Sequence, residues 1–179
     1  MDDALTIRQA RPEDAGRIAR VYIDSWQDTY PGILSTQLLC AMTPRVQRAR
    51  WQSAIAARGR ESVLVAELGD HGVIAMSSFG PSRDAPGGFD GEVYTLYVDP
   101  AHFGQGAGRA LLRAAFLNLR QQGFSRCVIW MHARNNSRFF YEKLGGRVIA
   151  ERTIAMMGGP VPELAFGWPR LALAEASRA

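Results

Sequence analysis

Glu92-Val-Tyr-Thr-Leu-Tyr-Val-Asp-Pro-Ala-His-Phe-Gly-Gln-Gly-Ala-Gly-Arg-Ala-Leu-Leu112 is the stretch from which the fold can be read. It divides into a short apolar strand, a turn closed by Asp99-Pro100, and a glycine-spaced entry into a helix. Pro100 fixes its own φ and drives Asp99 toward extended backbone, so the strand ends there. Gly104, Gly106 and Gly108 then place Cβ-free backbone at alternate positions where a helix begins. The first N–H groups of a helix have no partner inside it and carry the positive end of its dipole. Bare backbone at that point makes an anion site, most naturally for phosphate.

Two other phosphate loops are excluded by spacing. A P-loop ends in Gly-Lys-Ser/Thr, and here Gly108 is followed by Arg109-Ala110. A dinucleotide fingerprint reads Gly-x-Gly-x-x-Gly, and its acidic ribose ligand should end the next strand; Arg126 to His132 offers none. What remains resembles motif A of the GCN5-related N-acetyltransferase (GNAT) family, whose Gln/Arg-x-x-Gly-x-Gly/Ala loop holds the pyrophosphate of acetyl-CoA. Phe103 stands at the usual Gln/Arg position, ahead of Gly104-Gln105-Gly106-Ala107-Gly108. Backbone amides do most of the binding in such a loop, so the lost polar side chain should matter little. The bland reading is a glycine-rich strand–helix turn with no ligand.

At 179 residues the chain reads as one domain, residues 1–179, long enough to bury a core without staples. An apolar fraction of 47% and a charged fraction of 21% belong to a soluble globular protein. Apolar runs fall far short of a membrane span, and Met-Asp-Asp is no signal peptide, so the cytoplasm is the expected location. The net charge of +4 comes almost wholly from scattered arginines, Lys143 being the single lysine. A nucleic-acid footprint would be a stripe or patch, so neither nucleic acid nor membrane is an expected partner. Cys40 and Cys127 are too few for a disulfide framework, and His71, His102 and His132 are isolated, so no metal is expected.

In order, Leu5 to Arg8 alternates as a strand. Pro12 can open a helix whose apolar face (Ala15, Ile18, Ala19, Tyr22, Ile23) runs to about Trp26, before Pro31-Gly32 breaks it. Ser35 and Pro44 each start a further helix, giving a helical segment to Ala57 interrupted near Thr43. Val63 to Ala66 and Val73 to Phe79 form a hairpin across Gly69-Asp70-His71-Gly72. A polar loop, Pro81 to Gly91, leads into the quoted strand. The helix after the glycines buries Leu111, Leu112, Ala115, Phe116 and Leu119, and Gly123 ends it. Cys127 to Met131 is continuously apolar, as in a strand covered on both faces. A short helix from Asn135 to Leu144 and two strands, Arg147 to Met156 and Glu163 to Trp168, complete the domain. Residues 171–179 read as a loose tail.

The order β-α-α-β-β-β-α-β-α-β-β is a second match to the family. A third is Asn135-Asn-Ser-Arg-Phe-Phe-Tyr-Glu-Lys-Leu-Gly-Gly146, which looks like motif B, commonly Asn, then Ala/Ser, then Phe-Tyr-Glu-Lys-x-Gly. The resemblance covers residues 4 to about 170. It implies an α/β (α+β) GNAT fold: one mixed, mostly antiparallel sheet with helices on both faces. It also implies acetyl-CoA as co-substrate and transfer of its acetyl group to an amine by direct attack in a ternary complex.

By that resemblance Leu96, Tyr97 and Val98, the loop residues Phe103, Gly104, Gln105, Gly106, Ala107, Gly108 and Arg109, and Asn135, Ser137, Phe140 and Tyr141 contact the cofactor. Tyr141 would be the general acid beside the thioester sulfur, since a phenol of pKa near ~10 keeps its proton at neutral pH. Glu92, or water, would be the base that takes the ammonium proton; a solvated strand-end charge is its competing reading. Asn135 would bond the pantetheine arm or cap the helix. Trp26 and Tyr30 would border the acceptor, with buried packing an equal reading for Trp26. The acceptor would be a small-molecule or peptide amine, which the fold does not specify, and a homodimer is compatible with the resemblance. The alternative is a catalytically silent module that binds and senses acyl-CoA.

Overall fold

The computed structural model describes residues 4–57, 59 and 61–173. The elements run β1 (Leu5–Gln9), α1 (Ala15–Thr29), α2 (Thr36–Ala41), α3 (Pro44–Ala56), β2 (Ser62–Leu68), β3 (Gly72–Pro81), β4 (Gly91–Val98), α4 (Ala107–Gln121), β5 (Cys127–His132), α5 (Arg138–Lys143), β6 (Arg147–Met156) and β7 (Gly159–Trp168). Seven strands form one sheet in the order β1-β2-β3-β4-β5-β7-β6. Among the strands of the described residues β4 and β5 pair in parallel, and the other five pairs are antiparallel. The expected mixed sheet with helices on both faces is what the chain adopts.

Periodicity explains which helix covers which face. The α4 stripe of Leu111, Leu112, Ala115, Phe116 and Leu119 packs on Phe79, Val93, Ile129, Phe166 and Trp168 from the sheet. On the opposite face Ile18, Val21 and Tyr22 of α1 meet Trp51 of α3 and Val63, Val65 and Met76. Each such side chain contributes about 1.5–3 kcal/mol when it leaves water. The segment after Pro31 splits as its caps dictate: Ser35 Oγ accepts the Leu38 N–H (3.2 Å), and Thr43 stands before Pro44 at the start of α3.

Three expectations change. β7 begins at Gly159 rather than Glu163 and so contains Pro160 and Pro162. They fit because the β5–β7 ladder runs only as far as Glu163, and a strand tolerates proline where a side lacks a neighbour. The helix expected from Asn135 starts only at Arg138, after a turn in which Asn135 Oδ1 accepts the Ser137 N–H at 2.8 Å. The loose tail fails at its first residue: Leu171 is buried in the α4-side core, with Leu173 packed against it. Residues 174–179 of that expectation lie outside the described residues.

The turn that follows α5 fixes this short helix to the sheet. Trp168 Nε1 donates to Leu144 O (3.0 Å), and Gly146 N donates to Tyr141 O (2.9 Å). A Cβ on Gly146 would sit 2.6 Å from Trp168 Cζ2 and 3.0 Å from Tyr141 O. Gly146→Ala is therefore expected to lower stability by about 1–3 kcal/mol, the usual cost of overpacking. Denaturant unfolding measures it, and an unchanged midpoint would show that the Trp168 ring yields freely.

Candidate active site

The site exists because two neighbouring strands stop pairing. β4 and β5 are in register only at Gly91↔Cys127 and Glu92↔Val128. The β3–β4 register then steps from Phe79↔Val93 to Ser78↔Thr95, leaving Tyr94 as an extra residue. Such a bulge bends its strand. β5 meanwhile stays with β7 from Cys127↔Trp168 to His132↔Glu163. A cavity of about 470 Å³ opens along the gap.

Strand alternation decides which backbone groups face that gap. Asp99 N donates across to Ile74 O (2.8 Å), so Asp99 points its polar groups at β3. Leu96 and Val98, odd-numbered steps away, turn theirs toward β5, where no strand pairs with them. The end of α1 closes one side through Ser25, Thr29 and Tyr30, and Ser25 Oγ donates to Val98 O at 2.7 Å. On the other side α5 brings Phe140, Tyr141 and Leu144 to the wall.

The glycine loop lies at one end of the cavity. Asp99 closes the preceding turn: its carboxylate accepts the Ala101 N–H (3.0 Å) and Arg17 Nη2 (2.7 Å). Gly104 and Gly106 have φ of +80° and +86°, a region costly for any residue with a Cβ. A Cβ at either would meet no protein atom within 4 Å. At Gly108 the need is closeness, since a Cβ would lie 3.4 Å from Phe140 Cζ. The first turn of α4, from Ala107, presents N–H groups that have no acceptor within the helix.

Thirteen of the fourteen expected cofactor residues line this one cavity: Leu96, Tyr97, Val98, Phe103, Gly104, Gly106, Ala107, Gly108, Arg109, Asn135, Ser137, Phe140 and Tyr141. Gln105 is exposed and absent from the lining. Tyr141 is 6% exposed, edge-on to Phe140 and Trp168 at ring distances of 5.2 and 6.0 Å. Burial pushes its pKa well above that of an ordinary phenol, so it holds its proton at neutral pH. Tyr30 lies on the wall and Trp26 does not. Trp26 packs behind it, 4.9 Å from the Tyr30 ring and 5.4 Å from Tyr22, which is the packing reading of that residue.

The structure places Glu92 away from the cavity, and buried rather than as a solvated strand-end charge. Its side chain is fully buried at the closed end of the β4–β5 pair and is not part of the cavity lining. One oxygen accepts the Arg83 N–H (2.9 Å), and the other is held by the Arg83 guanidinium. The carboxylate is thus tied to Arg83 through both oxygens, away from the cavity. Asp84 is paired with Arg152, and Asp90 caps the Ser125 and Arg126 N–H groups. No Asp or Glu belongs to the cavity lining among the described residues. His132, close behind Tyr30, accepts the Arg134 N–H at Nδ1 (3.0 Å), which leaves the neutral ring's proton on Nε2.

The wall also contains residues that sequence reasoning did not select: Ser25, Thr29, Tyr94, Trp130 and Met131 among them. Trp130 sat in a run that read only as apolar, and its alternate-face position was the available signal. Arg152 stacks on its ring at 3.9 Å while paired with Glu163 at 2.7 Å. Among the described residues no cluster of three or more His, Cys, Asp or Glu is placed to hold a metal ion, and no helix is long and apolar enough to cross a membrane.

Comparison with known proteins agrees with this architecture. Residues 17–146 match the model of the acetyltransferase (GNAT) family. The uncharacterized N-acetyltransferase YuaI of Bacillus subtilis (strain 168) is 35% identical over 167 residues, covering 93% of this chain and 94% of that one. The probable N-acetyltransferase Rv2775 of Mycobacterium tuberculosis is 27% identical, covering 90% and 92%. Among solved structures, YncA of Salmonella typhimurium, a putative acetyltransferase, superposes with a TM-score of 0.69 at 24% identity, covering 98% and 99%. The chain belongs to the acetyltransferase (GNAT) family, and on that membership it is an acetyl-CoA-dependent N-acetyltransferase.

Held by Arg83 outside the cavity, Glu92 is expected to act as a structural group. Glu92→Gln is expected to lower unfolding free energy by about 1–3 kcal/mol, the value of a hydrogen bond to a charged partner. The pH–rate profile should keep its wild-type shape. An acid limb that moves or disappears in this variant would restore Glu92 as the base.

Proposed function

We propose that the cavity binds acetyl-CoA along the β4–β5 gap and passes its acetyl group directly to an amine entering beside Tyr30. The observation that carries this reading is the alignment, in one cavity, of the glycine-loop backbone, the unpaired edge of β4 and the buried phenol of Tyr141. The fit to the cofactor rests on the same features: bare backbone with room for an anion, and a cavity with a largely apolar wall. Support also comes from relatives of the same fold, since YncA was solved with acetyl-CoA and PaiA of Thermoplasma acidophilum with coenzyme A.

The loop from Gly104 to Arg109 and the α4 N-terminus hold the pyrophosphate through N–H groups and the helix dipole. The N–H groups of Leu96 and Val98 face the thioester carbonyl and take up charge as the tetrahedral centre forms. The incoming ammonium first loses a proton to water, because the wall contains no carboxylate to receive it. Its lone pair then forms the new C–N bond at the thioester carbon. Collapse of the tetrahedral centre breaks the C–S bond, and Tyr141 gives its proton to the departing sulfur. The second amine proton returns through water to restore the phenol. The balance is one amide, one thiol and one released proton from ammonium and thioester.

Tyr141→Phe keeps the ring and its contacts and removes that proton. kcat should fall roughly 10²–10⁴-fold with the acetyl-CoA-induced rise in Tm retained. A fully active variant would end the assignment. Gly106→Leu probes the loop independently: a Cβ there meets no protein atom within 4 Å, but the positive φ costs about 1–2 kcal/mol. The protein should fold and lose its acetyl-CoA shift; an undiminished shift would place the pyrophosphate elsewhere. Thiol release over a panel of amines tests the transfer itself. Strong acetyl-CoA binding without release for any amine would assign a sensing module instead.

A further inference from the structure

The cavity wall contains a run of hydrogen bonds whose direction can be assigned. The Ser137 backbone N–H donates to Asn135 Oδ1 at 2.8 Å. A backbone N–H can only donate, so this contact fixes which arm of the Asn135 amide is oxygen. The other arm, Nδ2, is the donor in the 3.1 Å contact with Tyr30 Oη. Tyr30 is the acceptor there, and its single O–H proton must point elsewhere. Tyr30 and Asn135 are each 7% exposed, so the bond is largely shielded from bulk solvent.

Tyr30 lines the same cavity as Tyr97 and Tyr141, and its charge would be felt by both of their phenols. Burial raises its own pKa, with the hydrogen bonds of Asn135 and Tyr97 to its oxygen opposing part of the rise. The group is thus a neutral donor at physiological pH. Trp26 backs the ring, and the Tyr30 N–H closes the last turn of α1 on Trp26 O at 3.0 Å, which holds the phenol in place.

We propose that Tyr30 is a second phenol donor at the reaction centre, its proton aimed into the cavity by Asn135, and that it hydrogen-bonds the thioester oxygen as negative charge builds there. This rests on the acetyl-transfer reading of the same cavity. No proton changes owner: the O–H of Tyr30 stays intact while the Leu96 and Val98 amides share the same oxygen. Asn135 acts through Tyr30 and is a positioning residue.

The experiment is steady-state kinetics by thiol release, with an amine that the wild type acetylates, on the full chain. Tyr30→Phe should lower kcat roughly 10²-fold, the usual effect of losing one such donor, with the acetyl-CoA shift in Tm retained. Asn135→Asp keeps shape and keeps an acceptor for the Ser137 N–H. Its carboxylate can only accept, so the Tyr30 proton turns toward it and leaves the cavity. kcat should fall to a similar degree, and the double variant should be no slower than the slower single, because both remove the same proton. A merely structural pair predicts a mild Asn135→Asp and losses that appear in Tm rather than in kcat. Either multiplied losses or a Tyr30→Phe within about threefold of wild type overturns the proposal. Should the added charge of Asn135→Asp abolish acetyl-CoA binding, Tyr30→Phe decides alone. A wild type that releases no thiol with any amine removes the transfer reading as well; an active wild type with an unimpaired Tyr30→Phe removes only this inference.

Discussion

The parting of β4 from β5 after two residue pairs is the constraint on which the rest of the site depends. A ladder continued for the length of both strands would consume the amides of Leu96 and Val98 and leave no cavity. The separation has a cause on each side. β4 carries an extra residue at Tyr94, whose phenol is tied back to Pro81 O at 2.6 Å. β5 has its other edge committed to β7 throughout its length. Backbone polar groups are ordinarily paired, and leaving a row of them unpaired inside a domain is unfavourable unless something else satisfies them. On the acetyl-transfer reading, the substrate is that partner.

The same separation dictates how the acid is held. Tyr141 rides on a six-residue helix, too short to be stable on its own propensity. Its position comes from neighbours: Trp168 donates to Leu144 O, the Gly146 amide returns to Tyr141 O, and Phe140, Phe166 and Trp168 surround the ring. Trp168 belongs to β7, the strand that pulls β5 away. The strand that opens the cavity therefore also carries the ring that seats the helix against it.

The parts of the site legible in the sequence are those written locally. Gly104, Gly106 and Gly108 report a backbone demand that any reader of spacing can recover, and the run to Tyr141 follows a motif. The placement of Glu92 is hidden for a different reason. A strand-end carboxylate looks the same in sequence whether it faces a cavity or an arginine, and Arg83 sits in a loop that read only as polar. Trp26 was closer to being readable, since it continues the Ile18, Tyr22 spacing of the buried face. The prolines of β7 hid four strand residues, because their tolerance depends on where the β5 ladder ends. Nothing local reveals that β4 and β5 part, since pairing joins residues more than thirty apart.

The distribution of arginines gives the cavity its chemical character. Arg8 holds Asp14 and Glu67, Arg17 holds Asp99, Arg83 holds Glu92, and Arg152 holds Asp84 and Glu163. These six carboxylates are thereby paired outside the lining. What lines the cavity carries no negative charge: four phenols, amides, and apolar strand residues, with Arg109, Lys143 and His102 at the wall as well. A carboxylate inside would attract the ammonium form of an amine, which cannot attack, and would repel a cofactor carrying phosphate charge. Phenols do neither. With their pKa values raised by burial, Tyr30, Tyr97 and Tyr141 keep their protons into the range where amines lose theirs. On the proposed reaction the two demands are thus separated: water deprotonates the nucleophile, and the buried phenols retain the protons that the thioester oxygen and sulfur require.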